Sequence, residues 1–118
     1  IRQLGVTMAP AEVASVDGHL IVDTSAWPQL NDIGKVFRDS GKPRAVVDHH
    51  VSADDLGALE LKDTAREATG SLIHEFAGAA GVPLDTAAAT ALYAAIATDT
   101  GWFRFAATSA ETMRVVGD

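Results

Sequence analysis

Two short apolar runs, HLIVD at 19–23 and RAVVD at 44–48, each close on an aspartate, and the stretch between them has the periodicity of a helix. In LNDIGKVFRDSGK, Leu30, Ile33, Val36 and Phe37 recur at helical spacing, and Gly41 stands where a helix stop is expected, just past Arg38. Continuous apolar runs of this length suit strands covered on both faces, so both are expected inside a parallel sheet. Parallel pairing would put Asp23 and Asp48 about 5 Å apart, at the carboxyl edge where open α/β sheets bind their ligands.

The rest of the chain continues the alternation. A weaker strand is expected from Ala58 to Leu61. REATGSLIHEFAGAAG then sets Leu72, Ile73, Phe76 and Ala80 on one helical face before Gly81 and Pro83. LDTAAATALYAAIATDTG is rich in alanine, with Leu92, Ala95 and Ile96 as its buried stripe and Asp99 at or just past its end. TSAETMRVVGD opens a last helix with Thr108 or Ser109 as cap. The fold class is α/β, a three-layer arrangement of mainly parallel sheet with helices on both faces. Gly70 and Gly101 are assigned to helix packing and turn geometry.

With 118 residues, 47% hydrophobic and 21% charged, the chain is sized for one domain with its own core. No apolar run approaches the roughly 20 residues that cross a bilayer. The absence of cysteine removes disulfides and thiolate metal sites, and a cytoplasmic protein without a membrane partner is expected. Nine basic residues against sixteen acidic ones give a net charge of -7 with no basic stripe, which argues against long DNA. Bound divalent ions would offset part of that charge, so a small phosphorylated substrate stays compatible.

Carboxylates and imidazoles are the ligand supply for manganese, magnesium, iron or zinc, and Asp23, Asp48, His49, His50 and Asp99 provide them. Taken singly, Asp23 reads equally well as a cap, beside the hydroxyls of DTS, and Asp99 in TDTG reads as a helix-end turn. Two adjacent histidines after a buried strand are harder to accommodate as core residues. His19 and His74 lack such a setting and are assigned to structure. Trp102, Phe103 and Phe105 could stack a base, but alternation would put Phe103 and Phe105 on one face of an extended segment, and core packing is the preferred reading. Ser52, Asp54 and Asp55 form a polar loop that either orients the site or is simply solvated.

VVDHH is similar to the signature of the DHH phosphoesterases, LIVDTS to the strand that precedes it, and IATDTGWFRFAATSAETMR to the later motif of the nanoRNase and pAp-phosphatase branch. ATGSLIHEF resembles the helix between the last two. Spacings of 25 residues (48 - 23) and 51 residues (99 - 48) suit the family. The resemblance implies a hydrolase with two divalent ions, Mn2+ or alternatively Mg2+. Asp23 would bridge the ions, and His49 and Asp99 would ligate one of them. His50 would be a catalytic residue facing substrate phosphate, and Asp48 would support the histidines. Arg104 is a second phosphate-facing candidate, or else a surface ion-pair residue. The implied substrate is a short single-stranded oligonucleotide or pAp, and a homodimer is compatible. Cyclic dinucleotide phosphodiesterase and inorganic pyrophosphatase are the other enzymatic readings.

The resemblance also has gaps. The family's first metal-binding motif, a histidine followed by paired aspartates, is missing, and Ser25 stands where a displaced copy would need its second aspartate. The smaller C-terminal substrate-binding domain is missing too, and the chain opens on Ile1 rather than methionine. Residues 1–118 are therefore expected to form one partial DHH domain, inactive alone, within a longer enzyme. The alternative is a non-catalytic α/β binding or regulatory module that retained the signature.

Overall fold

A computed structural model describes residues 8–118; Ile1 lies outside the described residues. Three strands, β1 (His19–Val22), β2 (Arg44–Asp48) and β3 (Leu59–Lys62), form one parallel sheet in the order β1-β2-β3. Ile21 pairs with Val46, Val22 with Val47, and Asp48 with Lys62. The two apolar runs are thus neighbours, and the third strand is shifted one residue towards the C-terminus from its expected bounds, which brings Lys62 into the ladder.

A single 3-10 turn (Trp27–Leu30) leads into α2 (Asn31–Ser40), which Gly41 ends in the left-handed conformation, φ 62°. These elements cover one face of the sheet. Leu30 joins Ile21, Val46 and Leu56 in a buried cluster, with Trp27, Ile33 and Phe37 packed around it. The short helix α1 (Pro10–Ser15) begins on a proline, where the missing N–H costs nothing. The opposite face carries α3 (Thr69–Ala79), which packs on β2, and α4 (Thr86–Asp99), which packs on α3. Gly70 makes that helix contact close, since a Cβ there would stand 3.0 Å from Ile96 Cγ1. Asp85 caps α4 by accepting from Ala88 N at 2.8 Å, and Ser109 and Thr112 cap α5 (Ala110–Gly117) reciprocally. Among the described residues no helix is long and apolar enough to cross a membrane.

Burial departs from the expected pattern in four places. β2 is enclosed, but β1 is an edge strand whose Leu20 and Val22 are 61% and 47% exposed. With Ile73, Leu92 and Ala95 they line an apolar cleft of about 700 Å³ whose rim holds Asp23 and Asp99. On α3, Leu72 and Ala77 are buried whereas Phe76, and Ala80 just past the helix, are exposed, because the helix makes its contact through its first turn and Ala77. On α4, Ile96 and Ala97 are buried, Leu92 is half-buried, and Ala95 is exposed.

The fourth departure follows α4. Gly101, Trp102 and Phe103 are consecutive left-handed residues, φ 58°, 58° and 63°. The segment is therefore a turn, not an extended stretch with Phe103 and Phe105 on one buried face. The buried Thr100 clamps it: its carbonyl accepts from the backbone N–H groups of Arg104 and Phe105, both at 3.0 Å, and its hydroxyl from Phe103 N at 3.1 Å. Trp102 and Phe105 are 62% and 57% exposed, while Phe103 leans on Tyr93.

Glycine is required at 101 twice over, since a Cβ there would come within 2.5 Å of the Phe105 ring. Gly101→Ala is expected to cost about 1–2 kcal/mol for the left-handed backbone alone, and more for displacing the ring. Thermal denaturation checks this. An unchanged midpoint would mean that the ring is not seated on the turn.

Candidate functional site

Asp23 follows β1 and extends its ladder, its N–H donating to Val47 O at 3.0 Å. Its backbone is left-handed, φ 63°, a conformation aspartate bears better than most residues. Strain of this kind concentrates at functional sites. The side chain is half-exposed beside β2.

Asp48, the last residue of β2, is fully buried. Its Oδ1 accepts from His49 N at 2.9 Å, His50 N at 3.2 Å and His50 Nδ1 at 2.7 Å. Its Oδ2 accepts from Ser25 Oγ at 2.5 Å, with Lys62 Nζ 3.9 Å away. This carboxylate therefore shapes the turn that presents both histidines. Burial acts to raise its pKa, but the hydrogen bonds from Ser25 and His50 and the charge of His50 outweigh that and hold it below the usual carboxylate range.

His49 is oriented by its other nitrogen. Its Nδ1 lies 3.1 Å from Arg66 O, and a carbonyl can only accept, so the proton sits on Nδ1. The Nε2 lone pair then faces two carboxylates, Asp23 Oδ1 at 3.8 Å and Asp99 Oδ2 at 3.6 Å. Asp99 reaches this point because α4 ends there. Burial, and then the charge of Asp23, push its pKa up. The His50 ring is half-exposed, and its pKa is raised chiefly by the hydrogen bond to Asp48.

The donor set fits a divalent ion. Ligand atoms of Asp23, His49 and His50 lie within 4.8 Å of one another, and Asp99 adds a second carboxylate to His49. Ligands at about 2.0–2.2 Å from an ion stand about 3–3.4 Å apart, so the His49–Asp23 and His49–Asp99 separations of 3.8 and 3.6 Å close with shifts of a few tenths of an ångström, whereas the wider spread of the cluster, up to 4.8 Å, does not. Oxygen and imidazole donors without thiolate suit a hard or borderline divalent ion.

Of the residues singled out from sequence, Asp23, Asp48, His49, His50 and Asp99 converge. Arg104 is exposed on the turn after α4, where its Nε donates to Gly101 O at 2.7 Å; among the described residues it forms no ion pair. His19 is buried at the start of β1 with Nε2 3.1 Å from Val13 O, and His74 lies near Asp118. Asp54 and Asp55 tie their loop to the 3-10 turn, Asp54 Oδ2 accepting from Trp27 N and Asp55 O from Trp27 Nε1. Sequence reasoning missed Ser25, Lys62 and the Arg66 carbonyl. The first lay in plain view in DTS, but its partner is 23 positions away.

No family model matches the chain. An exopolyphosphatase-related protein from Bacteroides fragilis has the same fold, with a TM-score of 0.86 over 92% of this chain and 32% of that one at 17% identity. A parallel α/β domain with Asp-His-His at the end of its central strand is a DHH-type domain. A probable bifunctional oligoribonuclease and PAP phosphatase NrnA from Streptococcus mutans is 31% identical over 99 residues, which is 84% of this chain and 31% of that protein. The bifunctional oligoribonuclease and PAP phosphatases NrnA of Thermus thermophilus and Bacillus subtilis are 35% and 34% identical, over 70% and 84% of this chain and 29% and 32% of theirs. The chain belongs to the DHH phosphoesterase family, in the oligoribonuclease and pAp-phosphatase branch. It spans about a third of the length of the relatives it matches.

Proposed function

We propose that this chain forms the Asp-His-His half of a divalent-ion-dependent phosphoesterase that hydrolyses short oligonucleotides, pAp, or both. The observation that carries the reading is the His49 ring, pinned through Nδ1 to the Arg66 carbonyl so that Nε2 meets Asp23 and Asp99. That is the tautomer and outer-shell partner a metal-ligating histidine needs. Asp23, His49 and Asp99 would hold one manganese or magnesium ion and Asp23 would bridge to a second, the pair supplying a water of lowered pKa and charge neutralisation at phosphate.

The protein's own groups do the remaining work. The His50 Nδ1–H is committed to Asp48, which leaves Nε2 for substrate. The raised pKa favours the imidazolium, whose Nε2–H can donate a charge-assisted hydrogen bond to a phosphoryl oxygen. Arg104, exposed on the turn after α4, would add a second positive charge if substrate extends over that turn, and the exposed Trp102 would offer a stacking surface for a base. Among the described residues the cluster supplies ligands for one ion, so these 118 residues assayed alone are expected to hydrolyse little.

In full-length form the protein is expected to cleave pAp and di- to pentanucleotides with manganese and to lose that activity to a chelator. Ion binding is expected to weaken as pH falls, because Asp99, held above its usual range, must give up its proton to ligate. Hydrolysis in the presence of chelator would defeat the metal mechanism. Ion binding without hydrolysis would favour a binding module.

A further inference from the structure

We infer that Lys62 and Ser25 are positioning residues that orient His50 through the buried carboxylate of Asp48. Lys62 ends β3, directly beside Asp48 in the parallel register. Its side chain is largely buried, and its Nζ finds Ser25 Oγ at 3.1 Å, Ser52 O at 3.3 Å and Asp48 Oδ2 at 3.9 Å. Two of the three ammonium protons therefore have protein acceptors, Ser25 Oγ and Ser52 O, and the charge pairs at longer range with Asp48, which turns this lysine inward, away from substrate.

The direction of the chain of hydrogen bonds follows from elementary chemistry. An ammonium can only donate and a carboxylate can only accept. Ser25 Oγ accordingly accepts a hydrogen bond from Lys62 and donates its own to Asp48 Oδ2, at 2.5 Å. With Oδ2 occupied, Oδ1 is the oxygen left for His49 N, His50 N and His50 Nδ1. The proton of neutral His50 is thereby fixed on Nδ1, and Nε2 is the nitrogen turned outward. Aligned donors of this kind reinforce one another in a buried setting.

That the outward nitrogen meets phosphate rests on the function proposed above; the orientation of the ring does not. The test is a long-range 1H–15N spectrum of the 15N-histidine-labelled protein, free of metal and substrate, at a pH where the ring is neutral. In the parent protein His50 is expected as the Nδ1–H tautomer. Lys62→Met and Ser25→Ala are each expected to abolish the dominance of that form, and Lys62→Arg to retain it. A folded Lys62→Met or Ser25→Ala variant with an unchanged His50 spectrum would overturn the inference, as would Lys62→Arg behaving like Lys62→Met. Should Lys62→Met fail to fold, Ser25→Ala, which keeps the ammonium, decides the matter. The readout needs no turnover, so failure of hydrolysis and failure of the positioning role are told apart.

Discussion

His49→Ala is expected to abolish divalent-ion binding and to lower hydrolysis by at least about a hundredfold. Loss of a mere outer-shell partner of a metal-ligating histidine already costs roughly 10–100-fold, and His49 is the group that faces both Asp23 and Asp99. Its removal leaves two carboxylates opposed across the gap with nothing between them. The fold should survive, because the ring gives up one hydrogen bond, to Arg66 O, worth about 1 kcal/mol. Calorimetric titration with manganese and kcat/KM on pAp read the two effects separately. An unchanged ion affinity would remove His49 from the site.

Asp48→Ala is expected to act on stability first. The carboxylate is fully buried and serves four donors, with the Lys62 ammonium close by. Deleting one partner of a buried charged network costs about 3–5 kcal/mol, which for a domain of this size lowers the midpoint of thermal unfolding by on the order of 10–25 °C. Asp48→Asn is the informative companion. Both edges of the carboxylate face donors, so an amide must turn its NH2 against Ser25 and Lys62 or against His50. The amide variant should therefore also be destabilised, though less than the alanine variant, which leaves every donor stranded. A midpoint within a few degrees of the parent for Asp48→Ala would show that this carboxylate does not hold the turn.

Sheet, central helix and cluster were readable because each rests on local pattern. HLIVD and RAVVD are apolar runs with a helix between them, and parallel pairing is enough to bring Asp23 beside Asp48 and His49. Asp99 joined them through the family resemblance, and α4 ends where that required. What escaped was whatever depends on contacts between distant elements. Nothing in LELK marks Lys62 as a buried partner, since its role comes from the register that pairs it with Asp48. Phe76 and Leu20 carry apolar side chains into positions that stay more than half exposed, and composition cannot reveal that. Trp102 and Phe103 belong to residue types that avoid positive φ, so alternation in GWFRF suggested an extended segment where Thr100 instead folds a left-handed turn. The helix Pro10–Ser15 is too short to show a period.

The backbone at Asp23 narrows what evolution or a mutagenesis library can place there. A left-handed φ of 63° is open to glycine at no steric cost and to asparagine, aspartate or histidine at little. The ion-bridging role proposed for this residue needs a carboxylate, which admits aspartate or glutamate. The two sets share one member. Glycine or asparagine would keep the chain's path and lose the ligand; glutamate would keep a carboxylate on a backbone it does not favour. A change that counts as conservative at most surface carboxylates is thus not conservative at position 23, and its tolerance is decided by a torsion angle as much as by a charge.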